Sequence, residues 1–126
     1  MNVKDIYWAA GILEGEGTFV LSGNSPSIKL KMTDPDVVER VYAVFNNLGS
    51  LYMHKKDREY YKQAYTWKVN GKDAIAIMMT IYTLMGERRK EKITSIIQHW
   101  KTVLNPRNRK QNTILKKNLG TFSGAL

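Results

Sequence analysis

Between Trp8 and Phe19 the chain reads Trp-Ala-Ala-Gly-Ile-Leu-Glu-Gly-Glu-Gly-Thr-Phe, and this run constrains the fold more than any other. Its first half has the spacing of a short helix with little bulk. Gly11 and Gly15 lie one turn apart and share a face that carries no side chain. Small residues spaced in this way let two helix backbones approach closely, a geometry best known from membranes but open to any helix pair. The second half sets Glu14 and Glu16 among glycines where the helix has to stop, and a strand pattern follows at once. Glu16 thereby falls at the negative end of the helix dipole, where Lys or Arg would favour stability and an acid is disfavoured. An acid at that spot predicts that a cation is expected there.

The rest of the chain punctuates itself clearly. A first helix is expected over Val3–Glu14, then a strand over Gly17–Ser22 with Phe19 and Leu21 on one face and Thr18, Val20 and Ser22 on the other. A turn cluster, Gly23-Asn24-Ser25-Pro26, leads to the cleanest alternation, in which Ile28, Leu30 and Met32 oppose Ser27, Lys29 and Lys31. Thr33-Asp34-Pro35-Asp36 is a helix-start signal. The helix after it runs to about Leu48 on a stripe of Val37, Val38, Val41, Val44, Phe45 and Leu48, and Gly49 stops it. Strands follow over Ser50–Lys55 and Gln63–Val69, joined by the polar stretch Lys56–Tyr61. Asn70-Gly71-Lys72-Asp73 is a turn and cap before an apolar helix over Ala74–Met85. A basic helix over Glu87–Thr102 comes last, with Ile93, Ile96, Ile97 and Trp100 inward. The order helix, hairpin, helix, hairpin, two helices predicts an α+β fold, an antiparallel four-stranded sheet with helices on one face. Residues 1–104 form the domain. Residues 105–126 form a basic C-terminal segment, with Ile114, Leu115, Leu119 and Phe122 available to dock on it.

Composition narrows the function. A chain of 126 residues suffices for one core of its own. It has no Cys, which excludes disulfides and Cys-ligated zinc and suits a reducing intracellular setting. No apolar run approaches the roughly 18 residues of a membrane span, and Asp5 beside the first helix does not suit a signal peptide. Walker-type loops and nucleophile triads are absent, and His54 and His99 stand alone without ligand-spaced partners. Net charge is +9, unevenly placed: residues 1–86 hold 10 Lys and Arg against 9 Asp and Glu, and residues 87–126 hold 10 against 2. Such an excess points to a polyanion. Alternation puts Lys29 and Lys31 on the sheet face away from the core, with Ser22, Tyr52, His54, Thr66 and Lys68 beside them; the loop Gly23-Asn24-Ser25, through Asn24 and Ser25, extends that face. Lys, Ser, Thr and Tyr serve phosphates and base edges, and a two-stranded ribbon is narrow enough for a major groove.

Ala9-Ala10-Gly11-Ile12-Leu13-Glu14-Gly15-Glu16-Gly17 resembles the LAGLIDADG motif of homing endonucleases, with Thr18-Phe19 continuing it; the departure is Ala9 at the first position, and Glu replaces Asp at the acidic ones. Met32–Val38 and Gly86-Glu87-Arg88-Arg89-Lys90 extend the resemblance, so that it covers residues 3–102. It implies the αββαββα LAGLIDADG fold with a saddle-like sheet. A single motif implies a homodimer that pairs two copies of the first helix through Trp8, Gly11, Ile12 and Gly15. The reaction implied is metal-dependent cleavage of both strands of long, pseudo-palindromic DNA sites, leaving 3′ overhangs, in the service of intron, intein or free-standing gene mobility. Glu16 would hold the metal, Mg²⁺ with Mn²⁺ as a substitute, and the Gly15 carbonyl would complete the ligand set. The family position of the basic catalytic residue favours Lys72, then Lys68, with Lys31 a third candidate from the hairpin. Glu14 takes a structural role. The compartment implied is intracellular, a bacterial or phage-infected cytoplasm or an organelle matrix. Two rivals stand beside this reading. One is a non-cleaving member, a DNA-binding regulator or a maturase that folds an intron RNA; the other is a basic interaction module without catalysis.

Overall fold

A computed structural model describes residues 2–54 and 62–104. The expected connection Lys56–Tyr61, the last residue of the expected third strand (Lys55) and the docking of residues 105–126 lie outside the described residues.

The chain builds α1 (Val3–Glu16), β1 (Gly17–Ser22), β2 (Ser25–Met32), α2 (Pro35–Val44), β3 (Ser50–Met53), β4 (Tyr65–Asn70), α3 (Gly71–Ile81), a 3-10 turn (Tyr82–Leu84) and α4 (Glu87–Leu104). The Asn2 side chain opens α1 by accepting from the Lys4 N–H at 2.8 Å. The helix does not stop at Glu14: Gly15 and Glu16 stay helical, and Gly17 turns the chain straight into β1. A side chain at Gly17 would put Cβ 2.7 Å from the Leu13 carbonyl oxygen, so this junction needs glycine for close approach. The first hairpin is tighter than expected. Ser22 pairs with Ser25 and only Gly23 and Asn24 lie between.

Pro35 occupies the first turn of α2, after Asp34 at the cap position. The helix ends at Val44, earlier than its apolar stripe suggested, because Asn46 (φ 55°) and Asn47 (φ 58°) enter the left-handed region. Phe45 nonetheless reaches the core and stacks on Trp67, ring centroids 5.7 Å apart. The Trp67 indole N–H donates to the Leu48 carbonyl at 2.8 Å, pinning the loop after α2 to the sheet.

The four strands run antiparallel in the order β1-β2-β4-β3. One face buries Phe19, Ile28, Leu30, Trp67 and Val69, which join Ala9, Ala10 and Leu13 of α1, Val38 and Val41 of α2, Ile77, Met78 and Ile81 of α3 and Ile93 and Ile96 of α4 in a single core. The other face carries the polar residues of each strand. Among the described residues, no helix is long and apolar enough to cross a membrane.

Candidate functional site

One face of α1 has no partner among the described residues. Val3, Tyr7, Gly11 and Gly15 follow one another at four-residue intervals; Val3 and Tyr7 are 60% and 59% exposed, and a Cβ built at either glycine meets nothing within 4 Å. Ile12 and Trp8 flank this stripe and are half-buried. The Trp8 ring is covered from the other side by the Arg40 guanidinium, 3.8 Å from the ring centroid, and Arg40 in turn stands 3.7 Å from Asp5.

At the carboxyl end of the same helix stands a cation that belongs to the chain itself, and it meets Glu14 and the backbone, not Glu16. Arg89, from the first turns of α4, donates from Nη2 to the Glu14 carbonyl (3.1 Å) and from Nη1 to the Gly17 carbonyl (2.7 Å). The last carbonyls of a helix have no partner inside it, so a guanidinium there both satisfies them and offsets the negative dipole end. The Glu14 carboxylate faces Arg89 Nε at 3.8 Å and accepts the Gly86 N–H at 3.1 Å. Glu14 is therefore structural, as expected from the sequence: it ties the start of α4 to the end of α1. Glu16 is different. It is exposed, it follows Gly15 at the tip of the helix, and it takes no ion pair among the described residues.

The sheet register arranges the basic residues in rows. Thr18, Lys29, Lys68 and Ser50 lie side by side across all four strands. The next row holds Lys31, Thr66 and Tyr52, on the level of the α1–β1 junction. Lys29 and Lys31 are exposed, Tyr52 is 43% exposed and Lys68 is half-buried. Thr66 departs from the expected contact surface. It is buried between Lys31 and Tyr52, and its hydroxyl is hydrogen-bonded to His54 Nε2 at 2.6 Å. The His54 ring tilts against Tyr52, centroids 5.1 Å apart. Tyr52 is thus exposed and His54 half-buried beside it, with Thr66 as their support. Ser27, of the same parity, is also fully buried.

Ser22, Asn24 and Ser25 gather at the far tip of the β1–β2 hairpin, where they line a cleft with Pro26, Lys72 and Trp100. Asn24 Oδ1 is hydrogen-bonded to His99 Nε2 at 3.2 Å, which fastens the turn to α4. Lys72 is brought to this tip and not to Glu16. Asn70 pairs with Ser27, three rungs from the level of Gly17 and Leu30, so about 10 Å of strand separates the start of α3 from the end of α1. The expectation that Lys72 stands beside Glu16 is corrected accordingly, since α3 begins at the end of the sheet opposite to the one where α1 stops.

Other basic side chains flank the start of β1. Arg88 and Lys92, one turn apart on α4, line a cleft of about 470 Å³ with Thr18, two residues after Glu16. Sequence reasoning missed these two and Arg89. The only available signal was the basic run after Gly86, and nothing local says that it folds onto residues 72 or more positions earlier.

No family model matches the chain, and no curated protein matches it by sequence. Solved structures do. The LAGLIDADG homing endonuclease I-GzeII in complex with its DNA target superposes with a TM-score of 0.59 at 19% identity, over 89% of this chain and 41% of that one. The homing endonuclease I-CvuI, in complex with an I-CreI target in 2 mM Mg with the DNA not cleaved, gives 0.57 at 12% identity, over 94% of this chain and 83% of that one. The chain thus spans about two fifths of the I-GzeII chain. These likenesses are of fold.

Proposed function

We propose that this chain, which has the LAGLIDADG homing-endonuclease fold, is a site-specific DNA endonuclease that acts as a homodimer and cuts both strands with a divalent metal. The observation that carries the reading is the junction of three features at the end of one helix: an open small-residue face, a carboxylate at the tip without an ion-pair partner among the described residues, and a basic sheet face starting at that tip. Packing the Gly11–Gly15 face of one protomer on that of a second brings two Glu16 side chains together beside two helix ends. Such a pocket is strongly negative and suits a hard cation and the phosphate it carries.

The donor set fits magnesium. Glu16 offers an exposed carboxylate and Gly15 the adjacent backbone carbonyl, both oxygen donors. Among the described residues of one protomer no three His, Asp or Glu side chains cluster, so two copies and the DNA phosphates would fill the coordination sphere. When bound, the metal supplies charge neutralisation and activation of water. Lys68 and Lys31 on the sheet, with Arg88 and Lys92 beside Thr18, would offset charge developing at the phosphate. Lys29, Tyr52 and His54 suit contacts to the groove, and Ser22, Asn24, Ser25 and Lys72 suit a more distant stretch of backbone. Double-stranded DNA with a two-fold pseudo-palindrome follows from a two-fold protein.

The test is cleavage of a plasmid that carries the DNA flanking the gene, joined without the gene. Linearisation in Mg²⁺ and none in EDTA is expected. Glu16→Gln keeps the shape and removes the charge, so cutting should fall by about a hundredfold or more while binding persists. Unchanged cutting by that variant refutes the assignment. Binding without cutting by the unmodified chain points to a DNA-binding regulator, and selective binding of intron RNA points to a maturase.

A further inference from the structure

We propose that Arg89 is a positioning residue that sets where the Glu16 carboxylate stands and thereby sets the affinity of the site for its divalent ion; this rests on the proposed role of Glu16. The two carbonyls that Arg89 holds, those of Glu14 and Gly17, straddle the segment Gly15-Glu16. That segment is glycine on both sides of the acid, the backbone least able to hold a fixed course by itself. A carboxylate that swings with a loose backbone loses the fixed geometry that a metal ligand needs. The guanidinium replaces the missing intrinsic stiffness with two hydrogen bonds from one planar group.

Arg89 is itself held. Its side chain is 18% exposed, its Nε faces the Glu14 carboxylate at 3.8 Å, and its Cζ lies 5.5 Å from the centre of the Phe19 ring. The same carboxylate accepts the Gly86 N–H, and a side chain at Gly86 would put Cβ 2.6 Å from Glu14 Oε1. The start of α4 and the end of α1 thus form one cross-braced unit, with Glu16 exposed at the tip of α1. The two carbonyls are met by two different nitrogens of one planar fork, which the single ammonium nitrogen of Lys does not reproduce despite its charge. The guanidinium also spends its charge on the helix carbonyls and Glu14, which leaves the Glu16 carboxylate to a cation from outside.

The experiment compares the wild-type chain with Arg89→Lys and Arg89→Ala by three readouts. These are amide hydrogen exchange over Gly15–Thr18, Mn²⁺ binding by electron paramagnetic resonance in the presence of mixed-sequence duplex DNA, and duplex binding in EDTA. Arg89→Lys should melt as a folded protein, exchange faster at Glu16, Gly17 and Thr18 alone, bind duplex in EDTA as the wild type does, and bind Mn²⁺ about tenfold to a hundredfold more weakly. Should Arg89→Ala not fold, Arg89→Lys, which keeps charge and most of the bulk, carries the comparison. Wild-type Mn²⁺ affinity or unchanged exchange in Arg89→Lys overturns the positioning role while leaving the proposed function standing. A wild-type chain that takes up no Mn²⁺ at all overturns the proposed function and the metal role of Arg89 with it.

Discussion

Replacing Gly11 separates the stability of the protomer from that of the pair, because the two should move in opposite directions. A Cβ at Gly11 meets nothing within 4 Å in the protomer, and the residue sits in the interior of a fourteen-residue helix. Alanine there is worth about 1 kcal/mol over glycine in helix propensity, and leucine nearly as much. For a domain of this size that is a rise of roughly 4 °C or more in the melting temperature of the isolated chain. Across a two-fold axis the substitution enters twice on the face that packs against itself. Helix axes lie about 8–10 Å apart depending on the side chains between them, and glycine-lined contacts sit at the low end, so leucine forces separation. The assay is sedimentation velocity and thermal melting over a range of protein concentrations. The wild type should be dimeric, with a melting temperature that climbs with concentration through mass action. Gly11→Leu should be monomeric, with a melting temperature that does not depend on concentration, and it should not cut DNA. A Gly11→Leu dimer of wild-type affinity would place the interface elsewhere. A Gly11→Ala monomer that melts below the wild-type monomer would refute the open face itself.

Two further substitutions test the scaffold and the sheet face. Gly49 has φ +89°, and a Cβ on it would press inside van der Waals distance of the Lys68 carbonyl oxygen, so Gly49→Ala should cost at least about 2 kcal/mol by chemical denaturation; a cost under half of that would show that the loop after α2 can relax. Lys29→Ala removes an exposed cation from the row Thr18-Lys29-Lys68-Ser50 and leaves the core alone. If Lys29 meets a phosphate, the slope of log binding constant against log salt should fall by about 1 per protomer, measured by fluorescence anisotropy; an unchanged slope with altered sequence preference would assign Lys29 to base readout instead.

What the sequence made legible follows the distance over which each feature is decided. Alternation in β2 is local, and Ile28 and Leu30 take the core face while Lys29 and Lys31 stand exposed, as the residues were read. The end of α2 was misjudged because two local signals compete there. The stripe through Phe45 and Leu48 argues for more helix, while Asn46 and Asn47 tolerate the left-handed turn that stops it, and Phe45 reaches Trp67 either way. Lys72 lies away from Glu16, since its distance from Glu16 depends on which end of β4 the next helix starts from, a matter of strand pairing and not of spacing. Arg89 shows the same limit most sharply. A carboxylate at a helix terminus reads as unstable only until the guanidinium that relieves the terminus is found, and that guanidinium comes from more than seventy residues along the chain. The acid looked as though it waited for one cation, whereas the helix end already holds a resident one for its carbonyls, and only the proposed function brings a second one to Glu16.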